Sequence, residues 1–120
     1  MLVLPIERKW FDMIVSGEKK EEYREIKPYW TKRFENYYEE ARLNIEIECP
    51  NYKEIYYRVT FKNGYNKNAP EMTCKCRLKK GKGKEEWGAE SNKEYYVLEI
   101  LEILEVSNVN ESETNEKRYK

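Results

Sequence analysis

The sequence predicts an α+β protein: a small β-barrel of about five or six strands, with two helices in the N-terminal half of the chain. Short segments of β-branched and aromatic residues separated by turn signals predict the strands. Two stretches with helical spacing of apolar residues, 7–16 and 29–40, both come early in the chain. A length of 120 residues is enough for one domain with a single hydrophobic core. We expect that domain to span residues 1–106 and to be followed by a polar, disordered tail, 107–120.

The first half of the chain alternates strands and helices. Residues 2–6, "LVLPI", predict an opening strand. The next segment predicts a helix, because Trp10, Met13 and Ile14 fall on one face, and Gly17 suits the turn at its end. The segment "EEYREI" then predicts a strand, and "YWTKRFENYYEE" predicts a second, shorter helix.

The second half of the chain predicts strands throughout. The segment "RLNIEIEC", residues 42–49, alternates apolar and polar residues with the period of a half-buried strand. Residues 55–65 predict a strand that runs into a turn at Asn63 and Gly64, and "MTCKCRLKK" alternates again. Residues 95–106 alternate only as far as Ile100, so a strand there needs a bulge or bend near Leu101. Glutamates at every third position leave a helix as the alternative for that segment.

Charge and composition restrict the classes of function. The chain carries 23 basic and 23 acidic side chains, so its net charge offers no general attraction for nucleic acid. It contains no histidine, which excludes mechanisms built on a Ser-His or Cys-His pair. An enzyme with this composition would have to use Lys, Glu, Asp, Tyr, Ser, Thr or Cys.

The three cysteines favour a reducing compartment over a disulfide framework. The start of the chain lacks the pattern of a secretion signal, and no stretch has the apolar length of a membrane span, so we expect a cytoplasmic protein. Cys74 and Cys76 with the distant Cys49 are short of the four ligands of a zinc site. We therefore expect no metal or other cofactor, and we expect Cys74 and Cys76 to face the core as small hydrophobic residues.

The charged segment "GEKKEEYREI", residues 17–26, is the strongest candidate for a site. In a strand, Glu22, Arg24 and Ile26 share one face and Tyr23 takes the other. If Ile26 turns that face inward, the glutamate and arginine must pair or bind a ligand, because a lone buried charge is very costly. Lys19 lies at the mouth of the strand. The structural alternative is a surface strand covered with salt bridges.

Gly17, Lys19, Glu22 and Arg24 spell G-x-K-x-x-E-x-R, which resembles the signature of the ASCH family, a group of small PUA-like domains. The order of a short strand, an amphipathic helix and then the motif is similar to the family's, as is the late strand "YYVLEI". The segments "FKNGY" and "EEWGAE" resemble those of small bacterial and phage members. The resemblance covers residues 1 to about 106.

The resemblance implies a PUA-like barrel with a cleft into which the motif side chains point. Members of the superfamily are proposed to bind RNA, and a ribonuclease activity has been described in the family. One branch removes the acyl group from N4-acetylcytidine with a lysine at the position of Lys19. That branch has threonine where this chain has Glu22, and glutamate is better suited to accepting protons or hydrogen bonds than to nucleophilic attack.

Two further sets of residues are candidates. In an ASCH-like barrel, Asn63, Tyr65, Trp87 and Glu90 could line the cleft, with the aromatic rings stacking on a base. Their structural alternatives are a tight turn and a cover over the core. A basic run on and after the predicted strand "MTCKCRLKK" could follow a phosphate backbone or could be a solvated hairpin offset by nearby glutamates: Lys75, Arg77, Lys79, Lys80, Lys82 and Lys84.

The leading expectation is recognition of RNA or a modified nucleoside in a cleft carrying Lys19, Glu22 and Arg24. Arg24 would hold a phosphate or pair with Glu22, and Glu22 would accept a hydrogen bond from a base amino group. One alternative is an amidohydrolase acting on N4-acylated cytidines, with Lys19 as base and Glu22 as proton carrier. Another is a small adaptor whose tyrosine-rich surface binds a protein partner. No membrane partner is expected.

Overall fold

The computed structural model describes residues 2–48 and 56–109, with side chains for 2–42 and 56–109. Helices α1 and α2 precede three long strands, and a short 3-10 turn lies before the last strand. The elements in chain order are β1 Leu2–Pro5, α1 Arg8–Val15, β2 Glu21–Glu25, α2 Pro28–Glu48, β3 Tyr57–Lys62, β4 Glu71–Lys82, the 3-10 turn Glu85–Trp87, and β5 Glu94–Ser107. No helix in the described ranges is both long and apolar enough to span a membrane.

The five strands form one mixed, curled sheet in the order β1-β3-β4-β5-β2. β1 pairs with β3 in parallel, and the other neighbours pair antiparallel. The sheet is a half-barrel with β1 and β2 as its two edges, which confirms the predicted α+β class. We call the gap between those two edge strands the seam.

The core lies between the concave face of the sheet and the two helices. Phe11 and Ile14 of α1 and Phe34 of α2 pack there against alternating residues of the strands. Cys74 and Cys76 are fully buried in this core, as their period-two spacing predicts. Burying a phenylalanine or isoleucine side chain such as Phe11, Ile14 or Phe34 contributes about 1.5–3 kcal/mol to the unfolding free energy relative to leaving it exposed.

Residues 42–48 are helical, so the strand predicted for residues 42–49 is wrong over that range. α2 continues from Pro28 to Glu48, and Cys49 lies outside the described residues. The period-two alternation is short, whereas extending an existing helix adds one hydrogen bond for each residue fixed. Arg42, Leu43 and the glutamates also have good helix propensity. Residues 42–48 are therefore helical because they continue the helix that precedes them.

β5 is a bent strand, and two bulges account for the glutamates at every third position. Cys76 pairs with Ile100 and Lys75 with Glu102, so Leu101 has no partner on β4. A second irregularity in the register leaves Leu104 unpaired in the same way. The predicted phase slip near Leu101 is confirmed, because each inserted residue shifts the alternation by one.

The ends of β4 and β5 differ from the predicted boundaries. β4 includes Gly81 and Lys82, so "GKGK" is not a turn throughout. Gly83 is closely packed, because a Cβ there would lie 2.6 Å from the Tyr23 ring. Ser107 still belongs to β5, whereas residues 110–120 of the predicted tail lie outside the described part of the chain.

Candidate functional site

The turn after α1 places Lys19 at the start of β2. Gly17 has φ +85°, a left-handed conformation that glycine adopts without steric cost, and it follows the helix C-cap as predicted. The backbone N–H of Lys19 then donates to the carbonyl of Met13 at 2.9 Å. This bond ties the start of the motif to the end of α1, so the position of the lysine is fixed by the helix.

Lys19, Glu22 and Arg24 form a buried ionic cluster, which we call the seam triad. Lys19 Nζ lies 3.1 Å from Glu22 Oε1, and Arg24 Nη1 donates to Glu22 Oε2. Lys19 is 1% exposed and Glu22 is 5% exposed. Glu22 thus holds one cation on each carboxylate oxygen, which is the pairing that a buried charge needs.

Arg24 joins the two edge strands across the seam. Its Nη2 donates to the Pro5 carbonyl of β1 at 2.5 Å, and its Nη1 also donates to the Tyr23 carbonyl of β2 at 2.9 Å. A side chain therefore makes the link that a backbone ladder would make in a closed barrel. Because the protein itself occupies these guanidinium donors, Arg24 is poorly placed to hold a phosphate.

A pocket of about 250 Å³ opens beside the triad at the seam. Glu22 and Arg24 contribute to its lining, and indole rings come from Trp10 of α1 and Trp87 of the 3-10 turn. The remaining lining residues are Pro5, Ile6, Glu7, Tyr23 and Gly88. The side chain of Lys19 has no exposed surface, so it lies behind Glu22 rather than in the pocket.

Three hydrogen bonds anchor residues 84–90, the Trp87 loop. The backbone N–H of Lys84 donates to the Tyr23 hydroxyl, and that of Glu90 donates to the Tyr95 hydroxyl, both at 2.9 Å. Between them, Lys19 Nζ donates to the Trp87 carbonyl at 2.5 Å. The loop is fixed at both ends and at its centre, so it forms a preorganised wall of the pocket.

Gly88 allows the Trp87 loop to approach Trp10 closely. Its φ is +103°, and a Cβ at this position would lie 3.0 Å from the Trp10 ring. Both constraints favour glycine, because it has no Cβ. It adopts a left-handed backbone without steric cost and lets the backbone lie close to the Trp10 ring.

Burial lowers the pKa of Lys19 from its ordinary 10.5, because desolvation disfavours the ammonium form. The charge of Glu22 and its hydrogen bond oppose this shift, whereas the charge of Arg24 adds to it. The net effect is a lowered pKa for Lys19. The Nζ also lies 4.7 Å from the Trp10 ring centre and 5.0 Å from that of Tyr23, so π-faces supply part of its surroundings.

The structure brings together only some of the predicted site residues. Lys19, Glu22, Arg24 and Trp87 meet at the seam. Tyr65 is 94% exposed and does not line this pocket. The predicted inward face of β2 also ends sooner than expected: the strand stops at Glu25, and Ile26 is 39% exposed. Glu22 is buried, as expected for a face that turns inward at one end, but Ile26, the residue that suggested this, lies outside the strand.

Asn63 and Glu90 serve local contacts. Asn63 Nδ2 donates to the carbonyl of Ile6 at 2.9 Å, which places it behind a lining residue. Glu90 is exposed, and its carboxylate lies 3.0 Å from Lys93 Nζ. Neither side chain is part of the pocket lining.

Sequence reasoning did not identify Trp10 and Pro5 as site residues. Trp10 was assigned to the helix face that packs on the core, and it does contact the core, but it also lines the pocket. Pro5 contributes a backbone carbonyl, which any residue could supply. The sequence carries no local signal for either role.

Part of the basic run is neutralised on the outer face of the sheet. Arg77 Nη1 lies 3.2 Å from Glu99, and Lys79 Nζ lies 3.3 Å from Glu99 and 3.5 Å from Glu21. We call Lys79, Glu99 and Arg77 the face triad. These pairs support the interpretation of this part of the run as a charge-compensated hairpin rather than a path for a phosphate backbone.

Cys74 and Cys76 lack the environment of a reactive or metal-binding group. Burial raises the pKa of Cys74 to about 12 and also raises the pKa of Cys76. Cys49 lies outside the described residues. Within residues 2–48 and 56–109, no group of three or more His, Cys, Asp and Glu is placed to hold a metal ion.

The seam pocket combines a fixed carboxylate, two indoles and a preorganised loop. Such a site can accept hydrogen bonds from a planar ligand and pack against its rings. Comparisons with family models, curated proteins and solved structures give no match for this chain. The chemistry of the pocket must therefore carry the functional argument.

Proposed function

We propose that the seam pocket binds a nucleobase, presented by RNA or by a modified nucleoside. The observation that carries this proposal is the position of the Glu22 carboxylate in a pocket lined by the indoles of Trp10 and Trp87. Proteins that read single bases combine ring stacking with hydrogen bonds to the base edge. Both elements are present in this pocket.

Glu22 has acceptor capacity to spare for a ligand. An ionised carboxylate offers about four acceptor positions. Lys19 occupies one on Oε1 and Arg24 one on Oε2. The two cations also fix the orientation of the carboxylate. A base with an exocyclic amino group can therefore donate to Glu22, whereas a base with a carbonyl at that position would be repelled.

The test compares ligands that differ at this amino group. Cytidine should bind, and uridine and N4,N4-dimethylcytidine should bind at least tenfold more weakly, as expected when a buried acceptor loses its donor. Binding is measured by calorimetry and by quenching of tryptophan fluorescence. Equal affinity for all three nucleosides, or no binding of cytidine, would sink the proposal.

The lowered pKa of Lys19 favours a second candidate, the hydrolysis of N4-acylated cytidines. Here Lys19 in its neutral form would take a proton from water through Glu22, and the resulting hydroxide would attack the acyl carbon. The C–N4 bond then breaks, N4 takes a proton, and cytidine and a carboxylate are released. The buried position of the amine behind Glu22 makes such a relay through the carboxylate necessary.

This candidate is tested by incubating the protein with N4-acetylcytidine and following cytidine by chromatography with mass detection. Release by the wild type but not by folded Lys19→Met protein would support hydrolysis. If wild type binds N4-acetylcytidine without releasing cytidine, the pocket is a binding site for this ligand.

A further inference from the structure

Two exposed lysines flank the seam pocket next to its indoles. Lys9 Nζ lies 4.5 Å from the ring centre of Trp10, and Lys84 Nζ lies 4.5 Å from that of Trp87. Each lysine belongs to the same element or loop as its tryptophan. A cation is thus held beside each of the two indoles that line the pocket.

What sets these two lysines apart is their position beside the pocket tryptophans, where no carboxylate of the described residues pairs with them, whereas several other surface cations are paired within the protein. Arg77, Lys79 and Lys93 each lie within salt-bridge distance of a glutamate. Among the described residues, neither Lys9 nor Lys84 has such a partner. Their charges remain available to an anion from outside the protein.

The cations inside the site are already bound by groups of the protein. Lys19 has no exposed surface, and its amine bonds Glu22 and the Trp87 carbonyl. Arg24 donates to Glu22, Tyr23 and Pro5. A phosphate attached to a base in the pocket would therefore meet exposed cations at Lys9 and Lys84, which are unpaired among the described residues and lie beside the two tryptophans.

We propose that the ligand is an internal nucleotide of a single-stranded nucleic acid, whose two flanking phosphates are bound by Lys9 and Lys84. This inference rests on the proposed function, because it needs a base in the seam pocket. A free nucleoside would use the pocket but neither lysine. The two lysines thus select a base within a chain over the same base alone.

Carboxylates near the rim limit how far this attraction reaches. Glu7 contributes to the pocket lining, and Glu85 and Glu86 follow Lys84 and are exposed. Local charge is therefore balanced rather than strongly positive. The lysines act through direct contact with phosphates. The slope of log affinity against log salt is therefore proportional to the number of phosphates contacted.

The test uses free cytidine and an oligouridylate with one central cytidine, long enough for the polymer salt relation to hold; its uracils carry a carbonyl where cytosine carries the amino group. For two contacts to a single strand, the slope of log affinity against log salt should be about −1.4. Lys9→Gln and Lys84→Gln should each reduce its magnitude by about 0.7 and leave the affinity for cytidine unchanged. Lys67→Gln, which changes an exposed lysine in the loop after β3, is the matched control and should keep the wild-type slope.

The outcomes separate this inference from the proposed function. If cytidine binds but the oligouridylate with its central cytidine binds no more tightly, or if its slope is the same in the Lys9 and Lys84 variants as in wild type, the phosphate contacts are refuted and the base site stands. If wild type binds neither ligand, the base site itself is refuted and this inference falls with it.

Discussion

Lysine, glutamate and arginine meet in both the seam triad and the face triad. In the seam triad the exposed side-chain fractions are 0%, 6% and 12%, and in the face triad they are 47%, 30% and 43%. The pKa of the lysine is lowered at the seam and raised on the face. The pKa of the lysine thus shifts in opposite directions, because burial outweighs Glu22 at the seam whereas Glu99 and Glu21 together outweigh desolvation on the face.

The two triads also differ in what they hold in place. The seam triad connects β1, β2 and the Trp87 loop through carbonyls of Pro5 and Trp87. The face triad joins β4 to β5, and a backbone ladder already joins these two strands. Losing the first therefore affects the architecture of the pocket, whereas losing the second removes only exposed ion pairs.

The largest expected effect comes from removing the central carboxylate of each triad. Glu22→Gln leaves two buried cations without their counter-charge and should cost about 3–5 kcal/mol of unfolding free energy. Glu99→Gln, the matched variant on the exposed face, should cost less than about 1 kcal/mol. Urea denaturation of both variants and wild type measures the difference.

A second substitution shows whether unpaired charge is the cause. Adding Lys19→Met to Glu22→Gln removes one buried cation and should recover part of the lost free energy. Equal costs for the two glutamate variants, or a further loss in the double variant, would contradict the contrast between buried and exposed triads.

The next effect concerns two glycines, one in the pocket wall and one in the sheet. Gly88→Ala puts an alanine in a left-handed backbone conformation, which should lower the unfolding free energy by about 1–2 kcal/mol. It also places a Cβ against the Trp10 ring. Gly81→Ala meets no atom within 4 Å, so it should change the unfolding free energy by less than about 0.5 kcal/mol. Thermal unfolding of the two variants tests this, and a similar loss in both would show that the close approach of loop and helix is not needed.

The sequence predicted those parts of the site that depend on local pattern. Gly17, the period of two in β2 and the motif spacing were sufficient to place Lys19, Glu22 and Arg24 together. The bulge near Leu101 was predictable because the alternation visibly slips there. Each of these features is determined by residues within one or two elements.

The rest of the site depends on contacts between distant segments. Trp10 reaches the pocket only because the Trp87 loop folds back onto α1, and Pro5 accepts from Arg24 only because the sheet curls. Tyr65 follows a strong turn signal, but nothing local shows that the turn points into solvent. Tertiary packing therefore determines whether these three residues reach the pocket, and the local sequence does not.

The smallest effect is the dependence of stability on pH, and it should have opposite signs for the two lysines. The lowered pKa of Lys19 means that between this value and 10.5 the unfolded chain binds its proton more tightly than the folded protein does. At low pH the buried amine is charged, which makes the folded protein less stable. This cost disappears as pH rises from the lowered pKa to 10.5, so the unfolding free energy increases over that range. For Lys79, desolvation lowers the pKa, but Glu99 and Glu21 together outweigh it, so the folded protein holds the proton more tightly.

We therefore expect the unfolding free energy of wild type minus that of Lys19→Met to increase as pH rises from the lowered pKa of Lys19 towards 10.5. The same difference for Lys79→Met should stay constant below 10.5 and fall above it, as the stabilising charge is lost. Titration of other groups, such as Tyr57, whose pKa burial raises to about 12, cancels in both differences. A Lys19 difference that is flat or falls with pH would mean that Glu22 outweighs burial, in which case the buried amine keeps its proton and cannot act as a base near neutral pH.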